Sequence, residues 1–362
     1  MPESNTTNHL NNAITLADKF RYISDKKNSS SITKDFSLNS TRIFFSHNYL
    51  KITKQVTPSL SKCLDNVFNN LNINPEHIDA YIYPSPDIQA ECLSSSHNDC
   101  IIRFSSGLIE LLDDKEIEFV AGHEIGHFLL SHRGCQNTEH NESVEYYINR
   151  RAQELSADRI GYISCNSLEV SLRALMKTIS GLSSKYLRYD ISNFIAQIKT
   201  AENIYGLTGI EVNATTHPSI ILRCRALLWF SLVYDEKHEN IETNDLEKID
   251  LMIKNDMDKY VDKAARVLID EAKEQVKFWG YVYRVICKDA FSKSDQELIR
   301  IEFGNEKLES LKNFLHNQPK STIKKDILER LEESKRELYN IAPLNYDDVI
   351  RQMDNFISTS MG

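Results

Sequence analysis

Residues 119–133 read FVAGHEIGHFLLSHR, and this stretch constrains the chain more than any other. His123, Glu124 and His127 follow the order H-E-x-x-H among apolar neighbours, Val120, Ile125, Phe128 and Leu129. A helix turns about 100° per residue, so side chains four apart return to one face. Helical spacing therefore stacks the two imidazoles, while their neighbours mark the helix as buried. Asp113 and Glu116, three apart, form a capping-box pattern that starts it. Two histidines and a carboxylate in such a helix are costly without a compensating partner. A metal ion supplies one: Zn2+ takes imidazole nitrogen at about 2.0–2.1 Å, and catalytic sites combine three protein ligands with an open fourth position. Glu124, at the edge of the same face, is placed to take a proton from a water held there.

The third ligand must come from elsewhere. A metzincin pattern would need glycine and histidine at 130 and 133, where this chain has Leu130 and Arg133. A carboxylate from a separate helix is then expected, and RRAQELSADRIG, residues 150–161, offers Glu154 and Asp158 four apart. One would bind the metal while the other fixes the orientation of a ligating imidazole. Gly122 and Gly126 leave room for that helix to come close. The competing reading of the carboxylate pair is a solvated face bridged to Arg150, Arg151 and Arg159, and the HEIGH motif argues against it. His132, Cys135 and His140 lack a fourth ligand at suitable spacing for a second zinc site and read as a polar loop.

Three blocks in fixed order, IIRFSSGLIELLDDKEIEFVAGHEIGHFLLSH, QELSADRIG and THPSIILR, resemble the zinc metallopeptidases that include HtpX and the CAAX prenyl endopeptidases, gluzincins with HExxH plus ExxxD. The resemblance runs from about residue 81 to about residue 232. It implies a zincin-like fold and one zinc ion held by His123, His127 and Glu154. It further implies Glu124 as general base, Asp158 as a carboxylate behind the ligands, and His217 and Arg223 beside the site, binding substrate carbonyl or oxyanion. By the same resemblance Ile101–Phe104 is an edge strand on which an extended peptide lies. The chain departs from its relatives in two respects. Gln89-Ala90 stands where they carry Asn-Ala, and no segment could span a membrane, although the best-known members are membrane-embedded.

The remaining pattern predicts a mainly α protein with a small β-sheet, an α+β fold. Residues 1–40 read as a polar lead or linker with one short helix near Ala13–Tyr22, residues 41–235 as the metallopeptidase domain, and residues 236–362 as a helical C-terminal domain. Within the middle part, 42–72 is mostly helical, 78–84 and 101–104 are strands, and His97 and Asp99 lie in a polar turn. Pro218 suits the first turn of a helix, with His217 at its entrance. In the C-terminal part Val276, Trp279, Tyr283 and Ile286 mark a buried stripe, and Ser294 with Glu297 forms a capping box for a helix that Gly304 ends.

Charge and composition narrow the partners. A net charge of −9 argues against nucleic acid, whose phosphates need clustered Lys and Arg. No apolar run approaches the roughly 18–20 residues that cross a bilayer. The N-terminus lacks the basic opening and apolar core of a secretion signal, so a cytoplasmic location is expected. Seven scattered cysteines fit reduced thiols. The expected activity is zinc-dependent hydrolysis of a protein or peptide substrate. The alternative is a peptidase-like scaffold whose C-terminal helices bind a regulatory partner, a role that has no use for Glu124.

Overall fold

The computed structural model describes residues 3–26, 38–96, 99–132, 143–197, 217–234, 243–288, 291–319 and 322–360. The fold is mainly α with a small mixed sheet, in line with the hydrophobic patterning. Two compact units divide the chain: Met1–Gln136 with Asn149–Val261, and Asn137–Ile148 with Asp262–Gly362.

In the first unit, β1 (Leu50–Lys51), β2 (Ile78–Tyr83), β3 (Ala90–Ser96) and β4 (Asp99–Ser105) form one sheet in the order β1-β2-β4-β3. β2 and β4 are parallel, and the other two pairs are antiparallel. β4 lies inside this sheet, and Cys100, Ile101, Ile102 and Phe104 are fully buried. The expectation that Ile101–Phe104 is an edge strand is therefore wrong. The apolar residues report that the faces of β4 are covered, whereas edge position is set by the neighbouring strands, and β4 has β2 on one side and β3 on the other. The edge next to β4 is β3, whose AECLSSS is too polar to announce a strand. Asp99, expected in a turn, begins β4 and pairs with Arg42 at 2.6 Å; His97 lies outside the described residues.

Helix α1 (Glu3–Lys19) corrects the reading of the N-terminus as a lead. Leu10, Ala13, Ala17 and Phe20 recur at threes and fours and enter the same core as Val120 and Phe128. α2 (Leu38–Asn48) and α3 (Pro58–Asn70) precede the sheet's long strands, and α4 (Ser106–Leu111) follows β4. α5 (Asp114–Leu129) starts at the Asp113/Glu116 capping box read from the sequence. The Glu116 carboxylate also accepts from Lys177 Nζ at 2.5 Å and Arg173 Nε at 3.0 Å, tying α5 to α7 (Leu168–Ser180).

α6 (Val144–Cys165), α8 (Ile191–Ala196), α9 (Ile220–Val233) and α10 (Thr243–Tyr260) follow. Pro218 precedes α9 and does not lie in its first turn: Ser219 is the N-cap, and His217 stands two residues ahead of that cap. Ile249, Ile253 and Met257 of α10 pack with Leu222 and Ala226 of α9. α10 accordingly goes with the first unit, and the units divide after Val261 where the sequence reading placed a domain start at 236.

The second unit contains α11 (Lys263–Cys287), α12 (Lys293–Phe303), α13 (Asn305–Asn317), α14 (Ile323–Ile341) and α15 (Tyr346–Ser360). Val276, Phe303, Leu331 and Leu338 form its core, with Trp279, Tyr283 and Ile286 packed against it. The capping box of α12 is Ser292/Asp295, two residues earlier than the Ser294/Glu297 pair, and Gly304 ends the helix with φ 92°. Among the described residues no helix is long and apolar enough to cross a membrane, and the cysteines are unpaired.

Candidate metal centre

The site is built by two helices that pack closer than ordinary side chains allow. A Cβ on Gly122 would lie 2.4 Å from Ser164 Cβ and 3.2 Å from Gly161 Cα, and one on Gly126 would lie 3.2 Å from Ala157 Cα. Gly122 therefore faces the C-terminal end of α6 while Gly126 faces its middle, and α5 and α6 run antiparallel. The glycines have the packing role expected of them. This approach brings Glu154 to both histidines of α5.

His123 Nε2 lies 3.2 Å from His127 Nε2, Glu154 Oε2 3.5 Å from His123 Nε2, and Glu154 Oε1 3.4 Å from His127 Nε2. Bonds of 2.0–2.1 Å in a tetrahedral sphere require ligand atoms about 3.3 Å apart. The imidazole pair matches that value and each imidazole has a Glu154 oxygen near it, a different one in each case, so the three residues, with ligand atoms within 4.8 Å of one another, can converge on one zinc ion. Theirs is the one such grouping among the described residues. Glu154 and Asp158 are 2% and 1% exposed, which disposes of the solvated-face reading, and Arg159 pairs with Asp250 instead.

Asp158 stands one turn after Glu154 and lies 3.0 Å from His123 Nδ1. An ionised carboxylate only accepts, so Asp158 holds a proton on His123 Nδ1 and leaves Nε2 as the nitrogen that faces the site. Arg223 grips Asp158 with two bonds, Nε to Oδ2 at 2.8 Å and Nη2 to Oδ1 at 2.6 Å, and its Nη1 is 3.7 Å from Glu154. His217 Nε2 is 3.5 Å from Glu154 Oε1, and its side chain is 60% exposed at the rim. Every residue singled out from the sequence for this site thus gathers around Glu154 or on the adjoining turn of α5.

Electrostatics reflect the crowding. Burial opposes charge on His123, but Asp158 and Glu154 outweigh it and hold the ring's pKa up at about 10 without metal. Burial works against ionising Glu154, yet the two adjoining histidines take its carboxyl well below the usual range. Asp158 is likewise lowered, Arg223 overcoming the effect of burial. Glu124 is the exception: burial pushes its carboxyl up, only partly offset by His123 and His127. A carboxylate made more basic beside a metal-ligand set suits proton transfer.

Sequence reasoning missed two residues. His132, expected in a polar loop, is buried, with its Nδ1 2.9 Å from His127 Nδ1. Asp25, in the supposed lead, is buried behind it, its Oδ2 2.8 Å from His132 Nε2. The available signal was the helix end. Ser131 has φ 57°, its N–H reaches Phe128 O, and His132 N–H reaches His127 O, a Schellman turn that folds His132 back under His127. Cys135 and His140 lie outside the described residues.

An H-E-x-x-H helix completed by a glutamate from a second helix is the ligand arrangement of the gluzincin class of metallopeptidases. Comparison with known proteins agrees: residues 54–148, about a quarter of the chain, match the model of peptidase family M48. The match includes His123, Glu124 and His127 and ends before Glu154. Metalloprotease LoiP and metalloprotease YcaL of Escherichia coli are 38% and 37% identical over 74 and 73 residues, each 20% of this chain and 28% and 26% of the relative. A plastoglobule-localized metallopeptidase 48 of Arabidopsis thaliana is 25% identical over 180 residues, 43% of this chain and 52% of its own. The alignments thus span between about a quarter and a half of the relatives' lengths. No solved structure matches.

Proposed function

We propose that the first unit is a zinc-dependent endopeptidase acting on protein or peptide substrates. The observation that carries this reading is the convergence of three side chains: His123 and His127 bring their Nε2 atoms to 3.2 Å, and Glu154 meets His127 with Oε1 at 3.4 Å and His123 with Oε2 at 3.5 Å. When bound, zinc supplies Lewis acidity for the scissile carbonyl and makes water acidic enough to attack at neutral pH. Glu124 takes the proton of the attacking water and delivers it to the departing amine. His217, at the rim, donates to the developing oxyanion, and loss of such a donor lowers rates by about 10²–10³-fold. Arg223 acts at one remove: its guanidinium is committed to Asp158 and Glu154, so it braces the carboxylates and does not touch substrate.

The substrate strand is reassigned with the sheet. Among the described residues β3 pairs with β4 alone and packs on α5, so an extended peptide adds to its other edge through main-chain hydrogen bonds. Gln89, exposed at the start of β3, holds the place of the asparagine found in related enzymes. Purified Glu124→Gln should retain one zinc per chain by elemental analysis and fail to cleave an unfolded test protein that the wild type degrades. Cleavage by Glu124→Gln at the wild-type rate would overturn the assignment.

A further inference from the structure

His123 and His127 must both present Nε2 lone pairs to one ion, yet only His123 has a carboxylate on its other nitrogen. The Nδ1 of His127 instead meets a second imidazole, His132 Nδ1 at 2.9 Å, and that imidazole meets Asp25 Oδ2 at 2.8 Å. We propose that Asp25 and His132 are positioning residues that fix the tautomer and orientation of His127, so that the outer shell of the metal centre is completed by a segment about a hundred residues upstream. The proposal rests on the zinc reading above and extends it beyond the ligands.

The proton positions follow from donor and acceptor chemistry. Asp25 Oδ2 also accepts from Ser156 Oγ at 2.7 Å and from Arg21 Nη1 at 3.1 Å. Ser156 Oγ in turn accepts from Tyr22 N–H at 3.0 Å, and its hydroxyl proton goes to Asp25 at 2.7 Å, with Ala152 O the more distant acceptor at 3.3 Å. An oxygen that takes bonds from a hydroxyl and a guanidinium is itself the acceptor. His132 Nε2 therefore carries a proton and donates it to Asp25. A neutral imidazole has one N–H, so His132 Nδ1 is an acceptor, and the proton between the two Nδ1 atoms belongs to His127. That leaves the His127 Nε2 lone pair free, 3.4 Å from Glu154 Oε1 and directed at the site. The opposite arrangement would set a bare His132 Nε2 lone pair against the Asp25 carboxylate in the interior.

Packing alone gives no reason to keep these groups inside. The side chains of His132 and Asp25 are 1% and 0% exposed, and Asp25 Oδ1 has no hydrogen-bond partner among the described residues. A half-satisfied buried carboxylate costs stability that an apolar residue would not. The backbone supports the relay from both ends. The left-handed turn at Ser131 returns His132 beneath His127, and Arg21 holds the Asp25 loop to the end of α5 by donating to Leu130 O at 2.8 Å.

Two measurements decide the matter. In zinc-loaded wild-type protein labelled with 15N-histidine, long-range 1H–15N correlation should show His132 protonated on Nε2 alone; a proton on Nδ1, or on both nitrogens, would overturn the relay without any variant. Zinc dissociation constants from chelator competition should then weaken by about 10–100-fold in His132→Phe, which keeps the ring and loses both bonds. His132→Asn, whose amide oxygen replaces the Nδ1 acceptor, should recover most of that loss, as filling space alone would not. Wild-type zinc affinity in His132→Phe overturns the relay and leaves the peptidase reading intact. Failure of the wild type itself to bind zinc overturns the reading on which the relay depends.

Discussion

Adding one methyl group at Gly122 tests whether the metal centre depends on close approach of α5 and α6. In Gly122→Ala the new Cβ would sit 2.4 Å from Ser164 Cβ and 2.0 Å from its Oγ. Ordinary contact begins near 3.4 Å, so the helices must part by about 1 Å at this point. His123 is the next residue, and its bond to Asp158 is 3.0 Å while its distance to Glu154 is 3.5 Å. A separation of that size exceeds the roughly 0.2 Å tolerance of metal–ligand distances, so zinc affinity should fall about tenfold or more. Stability moves less: overpacking costs about 1–3 kcal/mol, and replacing a helical glycine by alanine returns up to about 1 kcal/mol. Urea denaturation should show a net loss of about 0–2 kcal/mol. Ser164→Gly in the same chain removes the obstructing side chain, leaving Gly161 Cα at 3.2 Å as the nearest neighbour, and should restore zinc affinity. Wild-type affinity in Gly122→Ala, or a loss that Ser164→Gly does not repair, would refute the packing argument.

The remaining predictions concern protons, bracing and the turn. The metal-free His123 pKa, held at about 10, lies above its unfolded value, so the ring is charged at neutral pH and zinc must displace its proton. Zinc affinity should therefore rise about tenfold per pH unit between about pH 7 and 9, with close to one proton released per ion from this ring, measurable by calorimetry in buffers of different ionisation enthalpy. By the same sign, the stabilisation that a charged His123 gives the metal-free protein is complete below about pH 6.5 and fades as pH rises through about 10, a trend that thermal melts across that window will show. Asp158→Asn removes the partner of both His123 and Arg223, and competition titration should show zinc affinity reduced by about 10–100-fold. Ser131→Gly relieves a left-handed residue that is not glycine and should raise stability by about 1 kcal/mol in urea with zinc affinity unchanged.

The parts of the site visible in the sequence were those with helical spacing. His123 with His127, and Glu154 with Asp158, are each one turn apart, and an intact HEIGH motif told which carboxylate pair mattered. The glycines of α5 were legible for the same reason. Pairings across long stretches were not. Nothing local in residues 21–26 signals that Asp25 meets His132, because the contact exists only once α1 has docked and the Schellman turn has formed. The sheet failed differently: Ile101–Phe104 advertises burial, yet edge position depends on which strand lies beyond it, and β3 carries too few apolar residues to be seen. The α12 cap shows a third limit, since Ser292–Asp295 and Ser294–Glu297 match one pattern and only the backbone chooses between them.

The most direct test of the central claim is X-ray absorption at the zinc edge of the loaded, full-length protein. Two imidazole ligands and light oxygen donors at about 2.0–2.1 Å, with no sulfur and one zinc per chain, are predicted from the convergence of His123, His127 and Glu154. A sphere containing cysteine sulfur, or one lacking imidazole scattering, would contradict the account.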